Sequence, residues 1–249
     1  MTKTKDFSTS KNRTLIEIKD VWKTYIMGEA EVHALRGLNL TVDKGEFLAV
    51  MGPSGSGKST AMNMIGVLDR PTKGTIKLEG KDINTFTESR LAQIRGQKIG
   101  FIFQQFNLIN TLTAKENVML PLVFQRVPEE KRERKAKELL KLVDLASRMD
   151  HKPTELSGGQ QQRVAIARAL AVDPEVILAD EPTGNLDTNT GETVMDFLRT
   201  LHVKEGKTII MVTHDEEVAR FADRVEHLRD GQILHDNTRE QNTKTKRQV

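Results

Sequence analysis

The sequence has 249 residues, 37% of them hydrophobic and 29% charged, a balance typical of a globular protein with a sizeable core. It contains no cysteine, which excludes disulfides, thiolate metal sites and thiol catalysis. The net charge of +3 comes from two polar tails, 1–13 and 235–249, and aromatic residues make up only 4%, so no nucleic-acid partner is expected.

The first half of the chain predicts an antiparallel β portion, followed by a glycine-rich loop between a strand and a helix at 58–68. Thr113 and Glu116 fit a capping box, which predicts the start of a helix. The strands predicted in this half are 15–18, 32–42, 46–51, 75–79 and 99–103.

The second half alternates helices and strands. Charges at i,i+4 spacing predict a helix over 129–146, either a basic partner-binding helix or a solvated one that packs Leu139, Leu142 and Val143 on a small core. Ser157 is a suitable N-cap for a helix. The remaining predicted elements are a helix at 158–171, a strand at 176–179, a helix at 192–202, a strand at 208–212 and a hairpin turn at Asp230–Gly231.

Alternation of strands and helices favours an α/β fold with a mainly parallel sheet. The helix-rich segment at about 107–165 interrupts that alternation, so we expect it to form an inserted helical subdomain within a domain that spans 14–234.

The loop after the predicted strand 46–51 matches G-x-x-x-x-G-K-[S/T] in the strand-to-helix context that this phosphate-binding loop requires. Its glycines let backbone N–H groups surround phosphate oxygens, Lys58 supplies a positive charge and Ser59 a hydroxyl for Mg²⁺. We call these residues the P-loop: Gly52, Pro53, Ser54, Gly55, Ser56, Gly57, Lys58, Ser59 and Thr60.

The hydrophobic run 177–179 ends in Asp180 and Glu181. Beside a P-loop, this pattern predicts that Asp180 holds the magnesium shell and that Glu181 polarises the attacking water. Tyr25, the only tyrosine, follows the first predicted strand and is a candidate for stacking on adenine.

A second glycine-rich stretch opens the helix at 158–171 and forms another anion site, because backbone N–H groups are free at a helix start. We call Leu156, Ser157, Gly158, Gly159 and Gln160 the signature segment. Two phosphate-binding surfaces in one chain suggest that a single nucleotide is held between two molecules, which predicts an ATP-dependent homodimer.

With these residues the chain resembles the ATP-binding cassette (ABC) transporter ATPases from about residue 15 to 234. The resemblance implies a RecA-like P-loop NTPase core with an N-terminal antiparallel β subdomain, and ATP and Mg²⁺ as cofactors. It assigns Gln104 to the glutamine that senses Mg²⁺, Asp187 to the loop that crosses the dimer, and His214 to the switch histidine. Implied catalytic residues are Glu181, His214, Lys58 and Gln104, and implied metal ligands are Ser59, Gln104 and Asp180.

The sequences of segments 100–109, 112–118 and 183–187 resemble those of the lipoprotein-release and macrolide-export (MacB/LolD-like) branch. That resemblance implies a separate FtsX-like permease, and a cytoplasmic ATPase peripheral on the inner face of the membrane. No apolar run reaches the ~18 residues of a membrane span and no signal-peptide pattern opens the sequence. A non-transport soluble ABC ATPase and a regulatory ABC ATPase stay open as alternatives, and the sequence does not indicate the cargo.

Overall fold

The computed structural model describes residues 14–28 and 30–234; the predicted tails 1–13 and 235–249 lie outside the described residues. The strands are β1 (Thr14–Met27), β2 (Ala30–Asp43), β3 (Phe47–Met51), β4 (Lys73–Leu78), β5 (Lys81–Asp82), β6 (Ile99–Ile102), β7 (Val176–Asp180), β8 (Thr208–Thr213), β9 (Arg224–Arg229) and β10 (Gln232–Leu234). The helices are α1 (Lys58–Ile65), α2 (Glu88–Lys98), α3 (Ala114–Phe124), α4 (Glu129–Leu142), α5 (Gly158–Leu170), α6 (Thr188–Glu205) and α7 (Glu216–Ala219).

The first sheet is antiparallel, with strand order β2-β1-β4-β5. The first long strand extends well beyond the predicted 15–18, whereas the second exceeds the predicted 32–42 by only two residues at its start and one at its end. The pairing of β1 with β2 shifts register between Ile18 and Val21, and Asp20 there has a φ of 46°. Such an irregularity breaks the alternation of apolar residues, which is why the sequence pattern showed only part of the first strand.

The second sheet has the order β10-β9-β3-β8-β7-β6 and is parallel except for β10, which forms the predicted hairpin with β9. Strand β3 is buried along its whole length. Its residues alternate between two hydrophobic clusters, with Phe47 facing the helices and Leu48 facing the first sheet. This double burial is typical of a parallel sheet covered on both faces.

Four neighbouring strands, β3, β8, β7 and β6, run parallel and end at the same edge. The P-loop follows β3, His214 follows β8, Glu181 follows β7 and Gln104 lies two residues after β6. The carboxyl edge of a parallel sheet is where α/β folds bind ligands. The topology therefore gathers residues that are far apart in sequence.

Helices α3, α4 and α5 pack on one another beside this edge. In α4, Leu139 is buried as predicted, as is Val143 just beyond the helix, but Leu142 is 50% exposed and Leu140 is buried in its place. The helix ends at Leu142 rather than at 146, and Asp144 already has a φ of 56°. The prediction that Leu142 faces the core was therefore wrong, and the buried face of the helix passes through Leu140 instead.

Helix α6 begins at Thr188, four residues before the predicted start. The side chain of Asp187 accepts a hydrogen bond from the Thr190 N–H at 3.0 Å and so caps the helix. The capping box of α3 is present as predicted, with Thr113 and Glu116 bonding each other's backbone N–H groups.

Candidate functional site

The P-loop joins β3 to α1 with an unusual backbone. Gly55 and Gly57 have φ values of 78° and 101°, which glycine adopts without steric cost. The Lys58 ammonium donates to the carbonyl oxygens of Gly52 and Pro53, at 2.8 and 2.9 Å. Because an ammonium has three donors, Lys58 fixes the shape of the loop and retains one hydrogen for a phosphate oxygen.

A cavity of about 740 Å³ lies over the P-loop at the carboxyl edge of the parallel sheet. Its walls come from β2, the P-loop, the segment after β6 and the ends of β7 and β8. The lining residues are Val32, His33, Ala34, Pro53, Ser54, Gly55, Gly57, Lys58, Ser59, Thr60, Gln104, Asp180, Glu181 and His214. The cavity thus combines phosphate-binding, acidic and imidazole groups.

Two adjacent carboxylates stand at the end of β7. Burial raises the pKa of Asp180, the neighbouring Glu181 raises it further, and Lys58 opposes the shift. Glu181 has a φ of 43°, a left-handed conformation that is strained for this residue type. Its Oε1 lies 2.9 Å from Nδ1 of His214. Since a carboxylate only accepts, the Nδ1–H of His214 is the donor.

Gln104 lies against the turn that follows Glu181. Its backbone carbonyl accepts a hydrogen bond from Asn185 Nδ2 at 2.8 Å. A Cβ placed on Gly184 would come within 2.7 Å of Gln104 Nε2, so only glycine fits there without displacing the amide. Gln104 and the turn after Glu181 are therefore packed as one unit.

The signature segment faces a different cavity, of about 200 Å³. Ser157 caps α5, as predicted: its Oγ accepts from the Gln160 N–H at 3.3 Å, and its own N–H donates to Gln160 Oε1 at 3.0 Å. The hydroxyl hydrogen of Ser157 stays available to an external acceptor. This cavity shares no lining residue with the cavity over the P-loop.

Four other predicted site residues also lie outside the lining of the larger cavity: Gly52 and the buried Ser56 within the P-loop, Tyr25 and Asp187. Tyr25 places its hydroxyl 3.3 Å from Asp69 Oδ2, and the Lys23 ammonium lies 5.0 Å from the centre of its ring. Tyr25 pairs with Val32, a residue that lines the larger cavity, across β1 and β2. Asp187 caps α6, and hydrogen bonds from Thr190 lower its pKa.

The predicted metal ligands suit Mg²⁺. Ser59, Gln104 and Asp180 all line the larger cavity and offer hydroxyl, amide and carboxylate oxygens, the hard donors that Mg²⁺ prefers. In the described part of the chain, no cluster of three or more His, Asp or Glu side chains forms a metal site.

Comparison with known families decides the identity. The family model described as ABC transporter matches residues 35–184. An uncharacterized ABC transporter ATP-binding protein of Thermotoga maritima is 53% identical over 89% of this chain and 94% of its own length. The protein MJ0796 of Methanocaldococcus jannaschii, another uncharacterized ABC transporter ATP-binding protein, is 53% identical over 88% of this chain and 95% of its own length.

The chain belongs to the ABC transporter family. It is an ATP-binding cassette with ATPase activity, and its fold is the α/β P-loop cassette that the sequence predicted. The macrolide export ATP-binding/permease protein MacB of Aggregatibacter actinomycetemcomitans is 50% identical over 91% of this chain. That identity agrees with the predicted MacB-like branch, and the cassette covers 35% of that MacB.

Solved ABC structures share this fold. The dimeric, post-hydrolysis state of the MJ0796 cassette bound to ADP and Pi matches with a TM-score of 0.83 and 51% identity, over 89% of this chain and 97% of that one. A second dimeric structure of MJ0796 matches with the same score at 52% identity. Among the residues described in our cassette, no helix combines the length and apolar character needed to cross a bilayer.

Three residues around the site were given no role from the sequence. His33 lines the larger cavity, Arg168 donates to the backbone carbonyl of Phe106 at 2.8 Å, and Gln162 donates to that of Pro182 at 2.6 Å. The position of each residue depends on packing between distant parts of the chain, which no local sequence motif predicts. To find His33 from the sequence one would need the register of β2, and to find Gln162 and Arg168 one would need to know which face of α5 each lies on.

Proposed function

We propose that two copies of this cassette close around two ATP molecules, and that closure and hydrolysis drive a separate membrane permease. Each ATP is held by the P-loop of one copy and the signature segment of the other. The observation that carries this proposal is the separation of the two surfaces: the signature segment lines a cavity that has no residue in common with the one over its own P-loop.

The strength of the shared contact supports ATP-controlled association. If Ser157 and the helix N-terminus add two charge-assisted hydrogen bonds per site, each worth ~1.5–3 kcal/mol, two sites give ~6–12 kcal/mol as an upper bound. Association costs ~4–15 kcal/mol. Because the two ranges overlap, the terminal phosphate decides whether the dimer forms, and its removal lets the copies separate.

Glu181 serves as the general base. A water attacks the γ-phosphorus, its proton passes to the Glu181 carboxylate, the new P–O bond forms and the bond to the β,γ-bridging oxygen breaks, which leaves ADP and phosphate. His214 holds Glu181 through the 2.9 Å contact, and Lys58 places positive charge on the β- and γ-phosphates.

The other predicted residues complete the site. Ser59, Gln104 and Asp180 would hold Mg²⁺, which when bound neutralises charge on the phosphate oxygens. Gly52 to Thr60 hold the phosphates, Tyr25 stacks on the adenine, and Asp187 lies at the interface between the copies. Gln104, packed on Gly184, also faces the permease.

The partner is a membrane permease of the FtsX-like kind, and the direction is export or release. The MacB relative, whose name joins an ATP-binding and a permease part, supports this proposal. We assign 14–234 to the ATPase domain, with a helical subdomain at about 107–165, and place the complex on the inner face of the membrane.

The test is Ser157→Arg, which puts bulk and charge into the surface offered to the other copy. The variant should bind ATP at its own P-loop with unchanged affinity, measured by fluorescent-nucleotide titration, and lose hydrolysis at least about a hundredfold. Ser147→Arg, at an exposed site before α5, is the matched control and should keep full activity.

A mixing experiment sharpens the test. Lys58→Ala damages the P-loop and Ser157→Arg damages the signature, so a mixed dimer retains one intact composite site. Mixing the two inactive proteins should restore part of the activity. Loss of ATP binding by Ser157→Arg alone, or no recovery in the mixture while Ser147→Arg stays active, would show that the signature serves its own chain.

A further inference from the structure

The side chain of Gln162 connects α5 to the residue that follows Glu181. It is fully buried, and its Nε2 donates to the carbonyl oxygen of Pro182 at 2.6 Å. Its Oε1 has no hydrogen-bond partner among the residues that the structure describes. An apolar side chain of similar length would fill the space but would leave the buried Pro182 carbonyl without this donor, so the bond to Pro182, and not packing alone, favours a glutamine here.

The contact bears on the catalytic turn, which we define as residues 181–184. This turn starts in the left-handed conformation of Glu181 and is closed by a bond from the Gly184 N–H to the Glu181 carbonyl at 3.0 Å. The bond from Gln162 fixes the next carbonyl, that of Pro182. Two successive peptide groups next to Glu181 are thus held, one from within the turn and one from α5.

Helix α5 is also packed tightly on the segment after that turn. A Cβ on Gly159 would lie 2.3 Å from Thr190 Cγ2, and one on Gly158 would lie 3.8 Å from the Asn185 carbonyl oxygen. Close-packed surfaces pass on displacements because they leave no space to absorb them. A shift of α5 therefore reaches the residues after Glu181, and Gln162 carries it to the turn itself.

We infer that Gln162 is a positioning residue through which the signature helix of a chain sets the geometry of that chain's own catalytic turn. The inference rests on the proposed function, in which the signature segment binds the ATP of the other copy. When α5 binds that ATP, its position changes the geometry at Glu181, so hydrolysis in one site is faster when the other site is also occupied.

The test compares Gln162→Met with Gln161→Met. Methionine keeps the length of Gln162 and removes the donor, whereas the side chain of Gln161 donates to the Leu156 carbonyl, just before its own helix. We expect Gln162→Met to lower kcat at least tenfold with unchanged KM, and to leave ATP-dependent dimer formation intact in the Glu181→Gln background. Gln161→Met should keep kcat within twofold.

A double-mutant cycle tests the route of the effect. If Gln162 acts through the seating of α5, Gln162→Met should cost much less in a Ser157→Ala chain than in the wild-type chain. Independent effects would multiply, and such a result would overturn the inference.

Further outcomes separate the two proposals. Absence of the ATP-dependent dimer in Glu181→Gln alone would refute the proposed function. If Glu181→Gln alone forms the dimer normally, a Gln162→Met kcat equal to wild type would refute only the role of Gln162. The same conclusion would follow if Gln162→Met lowered kcat, changed KM and also prevented dimer formation in the Glu181→Gln background. If Gln162→Met does not fold, Gln162→Glu is tested in its place. If neither variant folds, Gln162 is a structural residue and the inference is overturned.

Discussion

At the scale of single residues, the carboxylate of Asp180 is proposed to bind Mg²⁺, but burying it reduces the stability of the fold. Asp180 lies at the end of a buried strand beside Glu181, and both burial and the neighbouring carboxylate raise its pKa. Because the folded-state pKa lies above the unfolded value, the folded state binds the proton more tightly. Stability therefore falls as pH rises from the unfolded pKa through the folded one, because burial disfavours the charge of the ionised carboxylate.

We predict that Asp180→Asn raises the melting temperature of the nucleotide-free protein at neutral pH, because it removes that buried charge. Hydrolysis should fall at least about a hundredfold, since the carboxylate proposed to hold Mg²⁺ is lost. Thermal unfolding and steady-state ATPase assays measure the two effects.

Asp187→Ala serves as the contrast. It removes the side-chain cap of α6 and should lower the melting temperature. A lower melting temperature for Asp180→Asn, or retained activity, would contradict the account of Asp180.

At the scale of elements, Arg168 ties α5 to the segment after β6. Its guanidinium donates to the backbone carbonyls of Phe106 and Asn107, and burial lowers its pKa. Asn107 has a φ of 50°, so the backbone of the segment turns at the residue to which Arg168 is hydrogen-bonded. Since Gln104 lies three residues earlier, Arg168 fixes the approach of that segment to the cavity.

We predict that Arg168→Lys lowers the free energy of unfolding by about 0.5–1.5 kcal/mol, because a lysine cannot reproduce the contact to both the part-buried Phe106 carbonyl and the exposed Asn107 carbonyl. Denaturant unfolding measures the change. Arg148→Lys, at an exposed site, is the control and should change stability by less than about 0.5 kcal/mol. Equal stability of the two variants would show that Arg168 does not hold the segment.

The sequence predicted elements well where local signals were strong. The buried strands before the P-loop and before Glu181, the capped helices α3 and α5 and the final hairpin lie where the patterns placed them. It missed α2, whose only buried residues are Leu91 and Ile94, because two apolar positions are too few to show a helical period. It placed the start of α6 late, because the stretch 188–191 contains residues of low helix propensity.

At the scale of the whole molecule, the strand order was not predictable from the sequence. Motifs identified the P-loop, the acids, the signature segment and His214, and the structure places the first, second and last of these around one cavity. The pairing of β3 with both β8 and β9 depends on long-range packing that no local pattern encodes. For the same reason the bond from Gln162 to Pro182 became visible only in three dimensions.

The fold presents the P-loop and the signature segment on separate surfaces, and the family's solved relatives include dimeric cassettes. The central claim is that ATP joins two copies. Light scattering of Glu181→Gln, which should bind ATP and hydrolyse it poorly, tests it most directly. We predict a doubling of the 28.1 kDa mass in ATP but not in ADP, and no doubling for the Lys58→Ala/Glu181→Gln double variant. A mass that stays at one copy in saturating ATP at every protein concentration would contradict the account.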